Sequence, residues 1–249
     1  MKITYISHSG FAIELEKTVL LFDYFKGVLP DFAKEKTIYV FASHKHPDHF
    51  NPQIFELTKK YANIRFFLSR DIRIDAHKKI KYGISDQLFD KIIFLDSDKE
   101  YAYYFEEYLA ESLQPITVRT LKSTDEGVAF AVTCENENIY HAGDLNWWHW
   151  NGETKGYNRN MEVNYKREVN LLRDMKIPFS VAFLPLDSRL EDAYGFGMRY
   201  FMEQISVDVI FPMHLWEDYA CIDRFKEENQ DLKVEKIISL KKDNMQFMI

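Results

Sequence analysis

The chain has 249 residues, 46% hydrophobic and 29% charged, long enough for one large domain or two small ones and able to bury roughly three quarters of its unfolded surface. This composition excludes intrinsic disorder, and no apolar run reaches the ~18 residues that a membrane-spanning helix requires. A net charge of −7 argues against a broad electrostatic grip on nucleic acid.

The N-terminal third reads as short strands at Ile3–Ile6, Phe11–Leu15, Val19–Phe22 and Ile38–Ala42, apolar and separated by brief polar turns. Pro52–Tyr61 predicts a helix, with Asn51 as its cap and Pro52 at the first helical position, where a missing N–H does no harm. Ile64–Leu68, Ile92–Leu95, Ile116–Leu121, Val128–Thr133 and Asn138–His141 are strand-like again, and the aromatic segment Tyr101–Leu113 suits half-buried strands. The period then changes: Tyr165, Val169, Leu172 and Met175 follow helical spacing, as do Met198, Phe201, Met202 and Ile205. Val181–Leu184 and Val207–Phe211 predict buried strands, and Glu217–Glu228 a helix. Two packed sheets with helices outside satisfy this order.

The most informative stretch is Ser43-His44-Lys45-His46-Pro47-Asp48-His49, three imidazoles and a carboxylate directly after an apolar strand. Imidazole nitrogen and carboxylate oxygen together suit zinc, iron or manganese. In extended chain His44 and His46 point to one side, and Pro47 disfavours a helix there. The plain alternative is a solvated loop that happens to be rich in histidine. Two further strand ends carry ligand types: Tyr140-His141-Ala142-Gly143-Asp144 and Phe211-Pro212-Met213-His214. Alone, Asp144 reads as a turn residue and His214 as a structural histidine; they gain weight jointly, as loop ends near one sheet edge.

His44-x-His46-x-Asp48-His49, Gly143-Asp144 and His214, with His8-Ser9-Gly10-Phe11 and Leu20-Leu21-Phe22-Asp23, resemble the metallo-β-lactamase fold superfamily of metal-dependent hydrolases, in particular the compact branch that includes L-ascorbate-6-phosphate lactonase. The resemblance covers nearly the whole chain and implies an α/β fold, a four-layer αββα sandwich, as a single domain over residues 1–249. It also implies residue roles. His44 and His46 would bind a first metal, Asp48, His49 and His214 a second, and Asp144 would bridge them. Asp23 would orient the histidine loop.

One departure stands out. The family's further first-metal histidine has no counterpart in Thr120–Gly127, so Asp125, His141, His149 or water would take its place, or the first site is weak. The expected cofactor is zinc, one or two ions, with manganese or iron as alternatives. The implied activity is hydrolysis by metal-bound hydroxide of a small-molecule ester, lactone, amide or phosphoester, with Asp48 as the catalytic residue that orients the hydroxide or carries a proton. Nucleic-acid processing and a non-catalytic metal sensor are the competing readings.

All four tryptophans follow metal motifs. Trp147, Trp148 and His149, with Asp187, are the candidate substrate contacts, against the plainer role of support for Trp147 and Trp148 and of a turn cap for Asp187. Arg189 and Arg199 are candidates for an anionic substrate group, although surface salt bridging is the plainer role for either alone. His77, among lysines, reads as exposed. Cys134 and Cys221 cannot form a disulfide framework and read as buried small hydrophobes. With no signal-peptide pattern at the start, the expected setting is cytoplasmic.

Overall fold

The computed structural model describes residues 1–103 and 115–249. In chain order its strands are β1 Lys2–Ser7, β2 Gly10–Glu14, β3 Thr18–Phe22, β4 Thr37–Ala42, β5 Ile64–Ser69, β6 Ile92–Leu95, β7 Glu100–Tyr103, β8 Ile116–Lys122, β9 Val128–Cys134, β10 Glu137–His141, β11 Phe179–Pro185, β12 Val207–Met213 and β13 Met245–Met248. The helices are α1 Ala76–Lys81, α2 Asp86–Phe89, α3 Lys155–Asp174, α4 Phe196–Gln204 and α5 Ala220–Glu228. No helix among the described residues is long and apolar enough to cross a membrane.

The chain divides into two compact units, each built on one mixed sheet. Unit 1 comprises Met1–Asp96 with Lys242–Ile249, and unit 2 comprises Ser97–Lys241. The sheet of unit 1 runs β13-β1-β2-β3-β4-β5-β6, antiparallel as far as β3 and parallel from β3 to β6. Strands β3, β4 and β5 are buried on both faces, as near-continuous apolar runs require. Ile38, Val40 and Ala42 of β4 join a core with Phe55, Tyr61, Phe66 and Leu68. On the other face Phe41 stacks between Phe22 and Phe67, with ring centroids 4.6 and 5.0 Å away.

Unit 2 repeats the plan. Its sheet runs β12-β11-β10-β9-β8-β7, antiparallel from β7 to β10 and parallel from β10 to β12. Tyr165, Val169 and Leu172 form the buried stripe of α3, and the Tyr165 hydroxyl donates to the Gly197 carbonyl of α4 at 2.8 Å. Gly197 has to be glycine: a Cβ there would lie 2.0 Å from Oδ1 of the buried Asn146. This packing holds the loop after β10 down on α4.

Several sequence expectations shift. The predicted helix at Pro52–Tyr61 is a 3-10 helix over Pro52–Lys59, with Asn51 Oδ1 accepting from the Gln53 N–H at 2.9 Å as its cap. The helix predicted from Glu217 starts at Ala220, because Trp216 and Glu217 adopt left-handed backbone angles (φ 49° and 67°). Helix α3 begins ten residues before its apolar stripe. Thr154 caps it, and over Lys155–Asn164 only Asn158 is buried, so no periodicity announces that turn of chain. Of the strands expected in Tyr101–Leu113, β7 ends at Tyr103 and the rest lies outside the described residues. Both cysteines are buried and free, and His77 is exposed, as expected.

Candidate metal centre

The residues that carry chemistry sit at the carboxyl ends of parallel strands in both units: Asp23 after β3, the histidine loop after β4, Asp144 after β10, Asp187 after β11 and His214 after β12. In mixed α/β sheets this is where ligands are held, since the loops there converge above the strand ends.

In unit 1, Asp23 organises the histidine loop. It is fully buried and adopts a left-handed backbone (φ 42°), with its N–H bonded to the Phe41 carbonyl of β4 at 3.0 Å. Its Oδ1 accepts the Ser43 N–H at 2.7 Å, and its Oδ2 accepts the Ser43 hydroxyl at 2.6 Å and His49 Nδ1 at 2.8 Å. A carboxylate only accepts, so His49 carries its proton on Nδ1 and keeps its lone pair on Nε2. The Ser43 proton being committed, Ser43 Oγ accepts from His44 Nδ1 at 2.9 Å, which fixes His44 in the same tautomer. One aspartate therefore sets two imidazoles, directly and through a hydroxyl.

The outcome is a set of nitrogen and oxygen donors facing one another. His44 Nε2 lies 2.9 Å from His46 Nδ1. The His49 and Phe50 N–H groups both bond the His46 carbonyl, a turn that swings Asp48 and His49 back beside the first two rings. His49 Nε2 is 3.8 Å from Asp48 Oδ2, and His8 Nε2, from the turn after β1, is 3.4 Å from the same oxygen. His8 entered the sequence reading only within an opening motif. The one available signal for it was an imidazole at the very end of an alternating strand.

Unit 2 uses a second carboxylate–imidazole pair. Gly143, in the left-handed region (φ 51°), turns the chain after β10 and delivers Asp144, whose carbonyl accepts Trp148 Nε1–H at 3.0 Å. His214 is also left-handed (φ 61°), and its Nδ1 donates to Asp187 Oδ2 at 2.9 Å. Its Nε2 then faces Asp144 Oδ1 at 3.5 Å. Asp187 is fully buried and is gripped by Arg189 through its backbone N–H, its Nε and its Nη2. Burial alone would raise the Asp187 pKa; the hydrogen bonds from Arg189 and His214, with their charges, outweigh it and hold it at about 2.

These donor sets fit a cation. With Nδ1–H given to a buried carboxylate, the other nitrogen of His49 and of His214 presents a lone pair toward the oxygen of a second carboxylate. Two such acceptors repel unless a proton or a metal ion lies between them. The carboxylate partner that fixes the tautomer of a ligating histidine is the usual support of such sites. Left-handed backbone at Asp23 and His214, neither a glycine, marks a local cost of the sort concentrated at functional positions.

The remaining predicted residues fall as follows. Asp187 is placed behind His214, with its oxygens taken up by that ring and by Arg189. Trp148 is buried with its ring 5.5 Å from that of His214. Trp147 and His149 lie against Phe196, at 5.3 and 5.7 Å, and Lys166 Nζ sits 4.3 Å over the Trp147 ring. Trp216 is 47% exposed beside His214, with the Arg189 guanidinium 4.5 Å over its ring. Arg199 is engaged by Asp231, Glu203 and Asn229. In the stretch without a histidine, Asp125 is exposed, while Thr124 donates to the Asn146 carbonyl at 2.6 Å and so ties that loop to the one bearing Asp144. His141 is fully buried and accepts the Gly143 N–H at 3.2 Å. Burial pushes the Cys221 thiol up to about 12, far from a thiolate.

Comparison with known proteins bears on the family and the fold. Residues 2–149 match the family described as the beta-lactamase superfamily domain. The chain is similar to Igni18, a novel metallo hydrolase from the hyperthermophilic archaeon Ignicoccus hospitalis KIN4/I, at 16% identity and a TM-score of 0.62, over 100% of this chain and 98% of that one. It is similar to the isothiocyanate hydrolase from Delia radicum gut bacteria at 14% identity and a TM-score of 0.57, over 100% and 99% of the two chains. CmlA, a diiron β-hydroxylase from Streptomyces venezuelae, is similar at 11% identity and a TM-score of 0.60 over 100% of this chain, which spans only 54% of that one. At such identities the structural likenesses speak for the fold, which is the α/β metallo-β-lactamase type expected from the sequence, and leave substrate and metal open. The family match covers more than half of the residues, and on that ground this chain belongs to the beta-lactamase superfamily, on a fold of the metallo-β-lactamase type.

Proposed function

We propose that the protein is a metal-dependent hydrolase of a small-molecule ester, lactone, amide or phosphoester, with His44, His46, Asp48, His49, Asp144 and His214 as its metal ligands. The observation that carries this reading is the pair of tautomer-fixed imidazoles. His49 is held by Asp23 and His214 by Asp187, and each turns its lone-pair nitrogen on another carboxylate. Zinc suits this nitrogen-rich set, and the carboxylates also admit manganese or iron. A bound divalent cation supplies Lewis acidity and lowers the pKa of water to near neutrality.

The side chains account for the rest. Asp48 is the best placed general base, since its side chain is 25% exposed while its Oδ2 faces His8 and His49. It orients the attacking water and accepts its proton. Trp216, exposed beside His214, offers a flat apolar wall to a substrate, and the buried Trp148 supports His214 from the other side. Trp147 and His149 fit a role in shaping that loop against Phe196. Asp187 positions His214 rather than meeting substrate, and the Arg189 fork is spent on Asp187.

The test is elemental analysis of the purified protein, followed by hydrolysis of an ester, lactone, amide and phosphodiester panel before and after chelation. Bound zinc, manganese or iron with turnover that chelation removes and metal restores is the expected result. Protein that holds no metal overturns the reading. Metal without turnover on the whole panel overturns the hydrolase and favours a metal-binding protein without catalysis.

A further inference from the structure

We propose that His8 is a further metal ligand, through Nε2, on the cation held by Asp48 and His49. This inference rests on the hydrolase reading and deepens it. Nothing in the histidine motif announces it, since His8 lies 40 residues before Asp48 in the chain.

Geometry carries the argument. The ligand atoms offered by His8, Asp48 and His49 all lie within 4.8 Å of one another. His8 Nε2 is 3.4 Å and His49 Nε2 is 3.8 Å from the one oxygen, Asp48 Oδ2. A charged histidine–carboxylate hydrogen bond closes to about 2.7–2.9 Å, so 3.4 Å is too long for that contact to explain the placement. Donors each about 2.0–2.2 Å from a shared ion stand roughly 3–4 Å apart, which is the spacing found. The two rings meet edge to face at 5.8 Å, turned about a common point rather than stacked.

The backbone is shaped to deliver the ring. The pairing of β1 with β2 slips register between Tyr5 and Ser7, the kind of irregularity that re-aims a side chain. His8 itself is left-handed (φ 55°), a conformation that costs a residue with a Cβ and is retained where the surroundings demand it. The buried Tyr5 hydroxyl accepts the His8 N–H at 3.0 Å and locks the turn. The side chain is 6% exposed, so it is aimed inward and not at solvent. With His8 the cation beside Asp48 draws two imidazoles and a carboxylate from unit 1 alone. The chain that lacks the family's extra first-metal histidine thus gains one at the other position.

The experiment is cobalt binding to the full chain by chelator competition, with the visible absorption of the bound cobalt read alongside. His8→Ala, and His8→Asn as a side chain that tolerates a left-handed backbone better than most, are compared with His49→Ala and wild type. Both His8 variants are expected to lose ten-fold or more in affinity for one cobalt equivalent and to change the cobalt spectrum. A residue acting only through hydrogen bonds would alter affinity and leave the ligand spectrum as it was. Independently of any variant, wild-type protein with isotope-labelled histidine and an NMR-active cadmium isotope is expected to show direct metal coupling at His8 Nε2. Coupling at His49 without coupling at His8, or His8 variants that keep both affinity and spectrum, overturns this inference and leaves the hydrolase reading intact. Wild-type protein that takes up neither metal overturns both.

Discussion

In unit 1 a fully buried aspartate holds its histidine with the help of neutral donors. Asp23 accepts from Ser43 twice and from His49 once. In unit 2 the matching aspartate is clamped by a guanidinium: Asp187 binds Arg189, whose side chain is 46% exposed, and holds His214 with the same carboxylate. Both arrangements fix an Nδ1–H tautomer, but their costs of failure differ. Donors around Asp23 have no route to water when the carboxylate is removed, whereas Arg189 can turn to solvent.

That contrast can be broken in four ways. Asp23→Ala strands three buried donors and is expected to lower stability by about 3 kcal/mol or more, read as a shift in urea midpoint; Asp187→Ala is expected to lose roughly 1–2 kcal/mol, because Arg189 becomes hydrated. Equal losses would mean that the two carboxylates are held alike.

Acid sharpens the same difference. Asp187 sits at about 2 in the folded chain against an ordinary value of 3.8. Its contribution is therefore present above the unfolded value and is lost as pH falls through the folded one. On the order of 2 kcal/mol should disappear from the metal-free protein between roughly pH 4.5 and pH 2. Arg189→Ala should flatten that part of the pH profile, measured by denaturant melts; a profile parallel to wild type would remove Arg189 as the cause.

Metal binding comes next. His49→Ala and His214→Ala are each expected to weaken metal affinity ten-fold or more, by chelator competition, and metal content unchanged in both would strip them of the ligand role. The smallest effect is expected for Arg189→Lys, which replaces a fork by a point charge: about 1 kcal/mol of stability and at most a few-fold in metal affinity. A loss as large as that of Asp187→Ala would show that charge alone does not hold Asp187.

Local pattern made most of this legible. Strands β1 to β6 alternate or run apolar over their own length, and the motif from His44 to His49 sits within six residues, so its chemistry needs no tertiary knowledge. Asp144 and His214 were visible only as strand ends. Their meaning depends on β10 and β12 flanking β11 in one parallel set, which no local window contains. Asp187 is the cap that the sequence suggests, accepting the Arg189 N–H at 3.0 Å, but a sequence does not show that it also lies behind His214. His8 stands outside the ligand set that the sequence suggests, because its placement beside Asp48 depends on a register slip between β1 and β2. The helices α1 and α2 and strand β13 are four to six residues long, too short for a period to declare itself.

The pairing of β13 with β1 has a consequence for how the molecule is made. Lys2 lies opposite Met248, so the sheet of unit 1 is completed by a strand that leaves the ribosome only after all of unit 2. Until then β1 carries an open edge, and everything from Ser97 to Lys241 is translated in the interval. Strands so far apart in sequence pair slowly, because the long intervening loop has to be closed first. A nascent chain stalled before residue 245 would hold the histidine loop and still lack the strand that seals its sheet, which makes that late docking the natural point for a chaperone to act.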